Sequence, residues 1–163
     1  TVYAVSKLAG EELVKAYQSE FESMEYTILR YFNTYGPHQI AQFVIPKFIR
    51  NVVNDKSPVI YGDGKQERSY NFSEDTARGT VDALLSKKAD REIINIGNGS
   101  NKSVQDIADI FGGPFEYKPK RLEPLQTLAE NTKARDLLGW KPTGNVEEWL
   151  GNYINENLRD DTN

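Results

Sequence analysis

A tyrosine and a lysine four residues apart, Tyr3-Ala-Val-Ser-Lys7, stand at the head of this 163-residue chain. On a helix that spacing places both side chains on one face, about one turn apart. An ammonium beside a phenol favours the phenolate electrostatically, and a phenolate can remove a hydroxyl proton while hydride leaves the adjacent carbon. The pattern is short and both residues are common on exposed helical faces, so its meaning depends on what accompanies it. Arg68 and Arg121 carry planar forks suited to phosphate oxygens, although an isolated arginine is ordinarily a solvated surface charge. Tyr31 and Tyr61 read equally as core, interface or ligand-facing aromatics. Asn33 and Gly36-Pro37 suit a turn, Asp75 reads as a first-turn helix charge, and His38 reads as a loop residue without a special role.

The elements that must position these residues alternate between helix and strand. From Tyr3 to about Phe21, Ala9, Leu13, Ala16, Tyr17 and Phe21 recur near helical spacing. Tyr26 to Phe32 is a β-prone run that ends in the turn-forming residues Asn33 to Pro37. Ile45, Phe48, Ile49, Val52 and Val53 return to helical period, with Pro46 in the first turn. Pro58 to Tyr61 reads as a short strand, Gly62 to Lys65 as a turn, and Glu67 to Phe72 as extended. Ser73 is the expected cap of a helix marked by Ala77, Val81, Leu84 and Leu85, and Glu92 to Ile96 is a further strand. Ser103-Val-Gln-Asp106 has the form of a capping box ahead of Val104, Ile107, Ala108 and Phe111. Thr132 to Leu138 ends at Gly139, a C-terminal cap. Val146, Trp149, Leu150, Tyr153, Ile154 and Leu158 mark a last helix, and the polar tail Arg159 to Asn163 is expected to fray. The alternation predicts an α/β fold.

Composition narrows the function. The chain is 38% hydrophobic and 27% charged, with a net charge of −4. Its lysines and arginines are scattered, so the electrostatic footprint of a nucleic-acid binder is missing. With no cysteine and one histidine, thiolate metal sites, thiol nucleophiles and His-rich metal centres are excluded. No apolar run has the length of a membrane span, and the N-terminus lacks the pattern of a signal peptide; the expected compartment is the cytoplasm. Two glycine segments imitate phosphate loops. Gly97-Asn-Gly99 lacks a third glycine at the needed spacing, and Gly62-Asp-Gly-Lys65 is too compact for a Walker motif and has no Ser or Thr after its lysine.

Taken together, the motifs carry a resemblance. Tyr3-Ala-Val-Ser-Lys-Leu-Ala-Gly-Glu-Glu12, Leu29-Arg-Tyr-Phe-Asn-Thr-Tyr-Gly-Pro37, Val44-Ile-Pro46, Ile60-Tyr-Gly-Asp-Gly-Lys-Gln-Glu-Arg-Ser-Tyr70, Asp75, Asn95-Ile-Gly-Asn-Gly99 and Thr132-Lys-Ala-Arg-Asp-Leu-Leu-Gly-Trp-Lys-Pro142 follow in order. This series resembles the extended short-chain dehydrogenase/reductase family, specifically its NAD-dependent epimerases and dehydratases of the UDP-glucose 4-epimerase type. The resemblance implies the C-terminal part of a doubly wound, Rossmann-like fold together with its small substrate-binding domain. Residues 1–40 and 73–100 would belong to the Rossmann-like part, and 41–72 and 101–158 to the substrate-binding part. The cofactor-binding half, with its glycine-rich loop and the Ser/Thr partner of the catalytic tyrosine, is expected upstream of Tyr3.

The resemblance also implies roles. Tyr3 would be the catalytic acid/base, and Lys7 would tune it and hydrogen-bond the nicotinamide ribose of NAD. Tyr31 would contact the nicotinamide end. Asn33 and Arg68 would meet the substrate diphosphate, with Arg121 near a second substrate-contacting arginine. Val44, Ile45, Pro46 and Tyr61 would line the base and ribose, while Glu130 stands where the family has an aspartate and would accept a ribose hydrogen bond. The implied activity is NAD-dependent 4-epimerisation of a nucleotide sugar by the intact protein, first of all a UDP-sugar, with dTDP- and GDP-sugars open. This chain alone is expected to be inactive. The same framework supports 4,6-dehydratases and UDP-glucuronate decarboxylases, and a noncatalytic nucleotide-sugar-binding module is the alternative of another class. No metal, nucleic acid or membrane partner is expected. The Tyr3/Lys7 helix belongs to a dimer-forming pair in the family, so a homodimer is.

Overall fold

The computed structural model describes residues 1–157; Leu158 and the tail 159–163 lie outside the described residues. Helix α1 (Val2–Glu20) opens on Thr1, whose Oγ1 accepts the Ala4 amide at 3.1 Å. That bond satisfies one of the amides a first helical turn leaves without a partner. No residue of α1 is buried, and its stripe of Leu13 and Tyr17, with Phe21 just beyond, stands more than half exposed. A bidentate ion pair ties the helix to the strand that follows it. Arg30 Nε and Nη2 donate to the Glu11 carboxylate at 2.7 and 2.6 Å.

Strand β1 (Thr27–Tyr31) emerges from the first β-prone run. It continues through Phe32 into β2 (Asn33–Tyr35), where the structure departs from the turn expected at Asn33. Tyr35 is wholly buried and β2 has a partner strand, and these tertiary gains override the local turn preference of asparagine. The turn begins at Gly36. After it come α2 (Val44–Val53), with Pro46 in its first turn, and β3 (Val59–Tyr61). The extended stretch Glu67 to Phe72 is two strands, β4 (Glu67–Arg68) and β5 (Tyr70–Phe72), separated by Ser69. Strand β5 runs straight into α3 (Ser73–Leu85), so Ser73 is already helical. Phe72 occupies the cap position without a side-chain bond, contrary to the expected serine cap.

A 3-10 turn at Lys87–Ala89 leads to β6 (Glu92–Ile96) and β7 (Lys102–Ser103). Helix α4 (Val104–Phe111) starts with the capping box read in the sequence: the Asp106 amide donates to Ser103 Oγ at 2.9 Å, and the Ser103 amide to Asp106 Oδ2 at 2.8 Å. Then follow β8 (Glu116–Lys118), β9 (Gln126–Thr127), α5 (Thr132–Leu138) and α6 (Val146–Asn157). Gly139 closes α5 in the left-handed region at φ 66°, a conformation glycine adopts without a Cβ penalty.

Pairing is mostly parallel. Strand β1 lies beside β6 with Thr27 opposite Glu92 and Tyr31 opposite Ile96, β2 lies beside β5, and β3 beside β8. Strand β4 is central between antiparallel β7 and parallel β9. Two apolar clusters hold these pieces. The first packs Tyr35, Ile45, Phe48, Ile60, Tyr70, Val104, Ile107 and Leu150; the second packs Ala83, Ile94, Ile96, Ala134 and Trp140. The clusters cross the sequence boundaries 1–40, 41–72, 73–100 and 101–158. Tyr35 joins the first because β2 pairs with β5, and Ala134 and Trp140 join the second because α5 packs on β6 and α3. Among the described residues no helix is long and apolar enough to cross a membrane.

Candidate active site

A cleft of about 1080 Å³ is walled by the N-terminus of α1, the ends of β1 and β2, the first turns of α2, strands β3 and β4, and the segment after β8. The strands end there because their glycine- and proline-containing connections turn away at Gly36-Pro37 and Gly62. Their terminal side chains are thereby left facing the space. Of the residues singled out by sequence, Tyr3, Tyr31, Asn33, Val44, Ile45, Tyr61, Arg68 and Arg121 line it. Lys7 joins through Tyr3: its Nζ stands over the Tyr3 ring, 5.4 Å from the centroid. That geometry realises the one-turn spacing of the pair, with Tyr3 itself 71% exposed at the rim. Pro46 adjoins Ile45 in the first turn of α2 without lining the cleft.

Glu130 is not brought to this cleft. It borders a separate depression with Asn131, Arg135 and Lys141, where Oε1 accepts the Thr132 amide at 2.9 Å. Bonding to Thr132 holds its carboxyl below the usual range, and that bond helps to start α5. It is a helix-terminus residue here, and the ribose contact expected of it has no support from its position.

The charge of the cleft is opposite to that of the chain. Lys47, Arg50, Arg68, Lys118 and Arg121 line it against one carboxylate, Glu123, although the chain carries a net −4. Arg68 is not the solvated charge that an isolated arginine suggests. It is 9% exposed, and its Nη2 meets Glu123 Oε2 at 2.5 Å while Nη1 donates to the Glu67 carbonyl at 2.7 Å. Arg121 is exposed and lies flat on Tyr61, its guanidinium carbon 3.3 Å from the ring centroid. Stacking of this kind holds the fork in one orientation while leaving its edge free to donate. Tyr31 is half exposed, with its hydroxyl 2.9 Å from Thr80 Oγ1.

Several lining residues were invisible in the sequence. Glu123 sits two positions from Arg121, but nothing local shows that it reaches Arg68, 55 residues earlier. Tyr70 and Thr127 line the same wall. His38, read as an ordinary loop residue, holds a left-handed backbone at φ 63° beside the cleft. Asp75 is a first-turn charge and more than that. It is 1% exposed, accepting from the Thr143 and Gly144 amides and from Thr143 Oγ1 at 2.8 Å each, and from Arg78. Among the described residues no cluster of three or more His, Asp or Glu side chains could hold a metal ion.

Residues 1–97 match the NAD dependent epimerase/dehydratase family. A UDP-N-acetyl-alpha-D-glucosaminuronate decarboxylase of Bacillus cytotoxicus is 38% identical over 93% of this chain and 51% of its own. The UDP-glucuronic acid 4-epimerase of Bacillus cereus, solved with UDP-glucuronic acid and NAD, superposes with a TM-score of 0.83 at 36% identity, over 94% of this chain and 52% of that one. The UDP-glucose 4-epimerase of Thermotoga maritima, solved with UDP-glucose, gives a TM-score of 0.86 at 28% identity, over 96% and 54%. The chain spans about half the length of the curated relatives it matches.

Proposed function

The chain belongs to the NAD dependent epimerase/dehydratase family, and on that premise we propose that the whole protein inverts C4 of a UDP-sugar. The observation that carries this reading is the cleft: five cations against one carboxylate in an acidic chain, with the Tyr3/Lys7 pair at its mouth. Such a basic, aromatic-edged concavity suits a ligand with an anionic centre and a flat base. Arg68 and Arg121 grip the diphosphate with Asn33, while Val44, Ile45 and Tyr61 line the base and ribose, and Pro46 fixes the turn that presents them. Tyr3 removes the proton of the C4 hydroxyl and returns it after the sugar has turned over. Lys7 steadies the charge on the phenol as the proton moves.

The donor chemistry at the rim fits NAD. Tyr3, Lys7 and Tyr31 offer hydroxyls and an ammonium to the nicotinamide ribose, and NAD bound there supplies the acceptor and donor of hydride. The described residues contain no three-glycine loop at a helix N-terminus. Binding of the NAD pyrophosphate by these 163 residues alone is therefore proposed to be weak. A second copy of the chain is proposed to cover the exposed apolar side of α1.

The test is conversion of UDP-glucose or UDP-glucuronate by the full-length protein with NAD, followed by NMR. The C4 epimer is the expected product. Tyr3→Phe should lower kcat about 100-fold or more and leave UDP binding intact. An undiminished rate in that variant would remove Tyr3 from the chemistry. Release of carbon dioxide from UDP-glucuronate would favour the decarboxylase reading, which the Bacillus cytotoxicus relative supports. Loss of water would indicate a dehydratase, and UDP binding without any turnover a noncatalytic module.

A further inference from the structure

The first two turns of α1 carry Tyr3 and Lys7, and nothing in the body packs closely around them. Thr1 to Gly10 are all exposed. Glu11 is the first residue of the chain that is partly covered, its side chain 13% exposed. The direction of an overhanging helix is set by the contact immediately behind the overhang. Here that contact is the Glu11 carboxylate, whose Oε1 accepts from Arg30 Nε at 2.7 Å and whose Oε2 accepts from Nη2 at 2.6 Å. We propose that Glu11 and Arg30 are positioning residues: their paired bond sets the rotation of α1 and so aims Tyr3 and Lys7 at the wall that carries Tyr31 and Asn33. This inference rests on the nucleotide-sugar reading above, in which Tyr3 moves the proton.

Helix geometry links the clamp to the chemistry. Residues four apart drift by about 40° around a helix, so Tyr3, Lys7 and Glu11 fall within an arc of about 80° on one face. Tyr3 lies about 12 Å along the axis from Glu11, and over so short a length a rotation at Glu11 reaches Tyr3 undiminished. A swing of about 15° carries the tip of a tyrosine sideways by roughly 2 Å, and a misplacement of about 1 Å can cost about 100-fold in rate. One hydrogen bond would let the carboxylate pivot. Two parallel bonds to a planar fork fix direction as well as distance. The far end of the clamp is equally well placed: Arg30 and Tyr31 are neighbours on β1 and project to opposite sides of the sheet. Arg30 grips α1, while Tyr31 lines the cleft and meets Thr80 of α3. Hydrogen bonding from Arg30 also holds the Glu11 carboxyl below the usual range, so the pair stays ionised at neutral pH.

The test uses the full-length protein with NAD, measuring turnover of a UDP-sugar, UDP affinity by calorimetry, and melting curves. Glu11→Ala and Arg30→Gln should each lower kcat about tenfold or more. UDP affinity and melting temperature should change little, because neither residue lines the cleft and α1 has no buried residue. Exchanging the partners, Glu11→Arg with Arg30→Glu, rebuilds the pair and should bring kcat back to within about threefold of the unaltered protein. With carbon-13 at the hydroxyl-bearing ring carbon of tyrosine, the NMR line of Tyr3, assigned through Tyr3→Phe, should shift or broaden in each single variant and return in the exchanged one. That readout needs neither NAD nor turnover. Unchanged kcat in both single variants overturns the proposal, as does a Tyr3 line that neither variant moves. So does a fall in kcat that the exchange fails to restore, or one that comes with weaker UDP binding and a lower melting temperature. Turnover left intact by the variants defeats the clamp alone. An unaltered protein that neither binds UDP nor turns over a UDP-sugar defeats the nucleotide-sugar reading and this proposal with it.

Discussion

Arg68 and Arg121 share a wall of the cleft and are held in opposite ways. Arg68 is sunk into β4 and bound to Glu123 and a carbonyl, whereas Arg121 rides on the surface against the Tyr61 ring. The difference decides what each substitution should do. Arg121→Lys keeps the charge but replaces a flat fork, stacked and oriented, with a mobile point charge. Losing the stacked geometry is expected to weaken UDP binding by about 1 kcal/mol, several-fold in Kd. The melting temperature should not move, since an exposed cation on an aromatic face contributes little to folding. Calorimetry and a melting curve on one variant check both halves, and a drop in stability would mean that the Arg121–Tyr61 stack is structural. The residue type marked Arg68 and Arg121 in the sequence as forks suited to phosphate. It could not show that one of them already has a carboxylate partner, because that partner arrives on a different strand connection.

At the scale of elements, Asp75 links the start of α3 to the residues ahead of α6. Its carboxylate accepts from Thr143 and Gly144, and its carbonyl accepts Trp140 Nε1 at 2.9 Å. Burial alone would raise its pKa, yet the bonds from Gly144, Thr143 and Arg78 outweigh that effect and hold the carboxyl below the usual range. A group with a depressed folded pKa stabilises the fold above its unfolded value, about 3.9, and that stability is lost as pH falls through the folded value. Stability should therefore decline below about pH 4. Asp75→Asn should cost about 3 kcal/mol at neutral pH and flatten this part of the acid profile, as read from urea unfolding at several pH values. An unaltered acid limb would place the titration elsewhere. The first-turn position of Asp75 was legible, but its partners lie 68 and 69 residues away and left no local trace. The Ser103–Asp106 capping box and the Gly139 cap were legible because every atom involved is within one turn. Strands β2, β7, β8 and β9 were missed because two or three residues cannot display a period of two, and only their partners make them strands.

The molecule as a whole is uneven in how it spends its apolar residues. The two clusters draw on strands β1, β2, β3, β5 and β6 and on five of the helices, while α1 contributes none of its residues to either. Val2, Val5, Leu8, Leu13, Tyr17 and Phe21 each stand more than half exposed along that helix region, and the Arg30–Glu11 ion pair is its main polar tie to the body. Exposed ion pairs contribute about 0–1 kcal/mol, too little to hold a 19-residue helix by themselves. An apolar face of this extent favours association, and association buries it only if a second surface of matching character is supplied. A second copy of the same helix supplies one by symmetry. Light scattering on a concentration series should show dimers accumulating as concentration rises, and Leu13→Glu with Tyr17→Glu should return the protein to monomers. Hydrogen exchange should show α1 gaining protection in the same concentration range, since association suppresses the local opening through which its hydrogen-bonded amides exchange. A monomer at high concentration, with α1 exchanging at one rate throughout, would leave the helix without the proposed partner and would separate the placement of Tyr3 and Lys7 from any role of a second subunit.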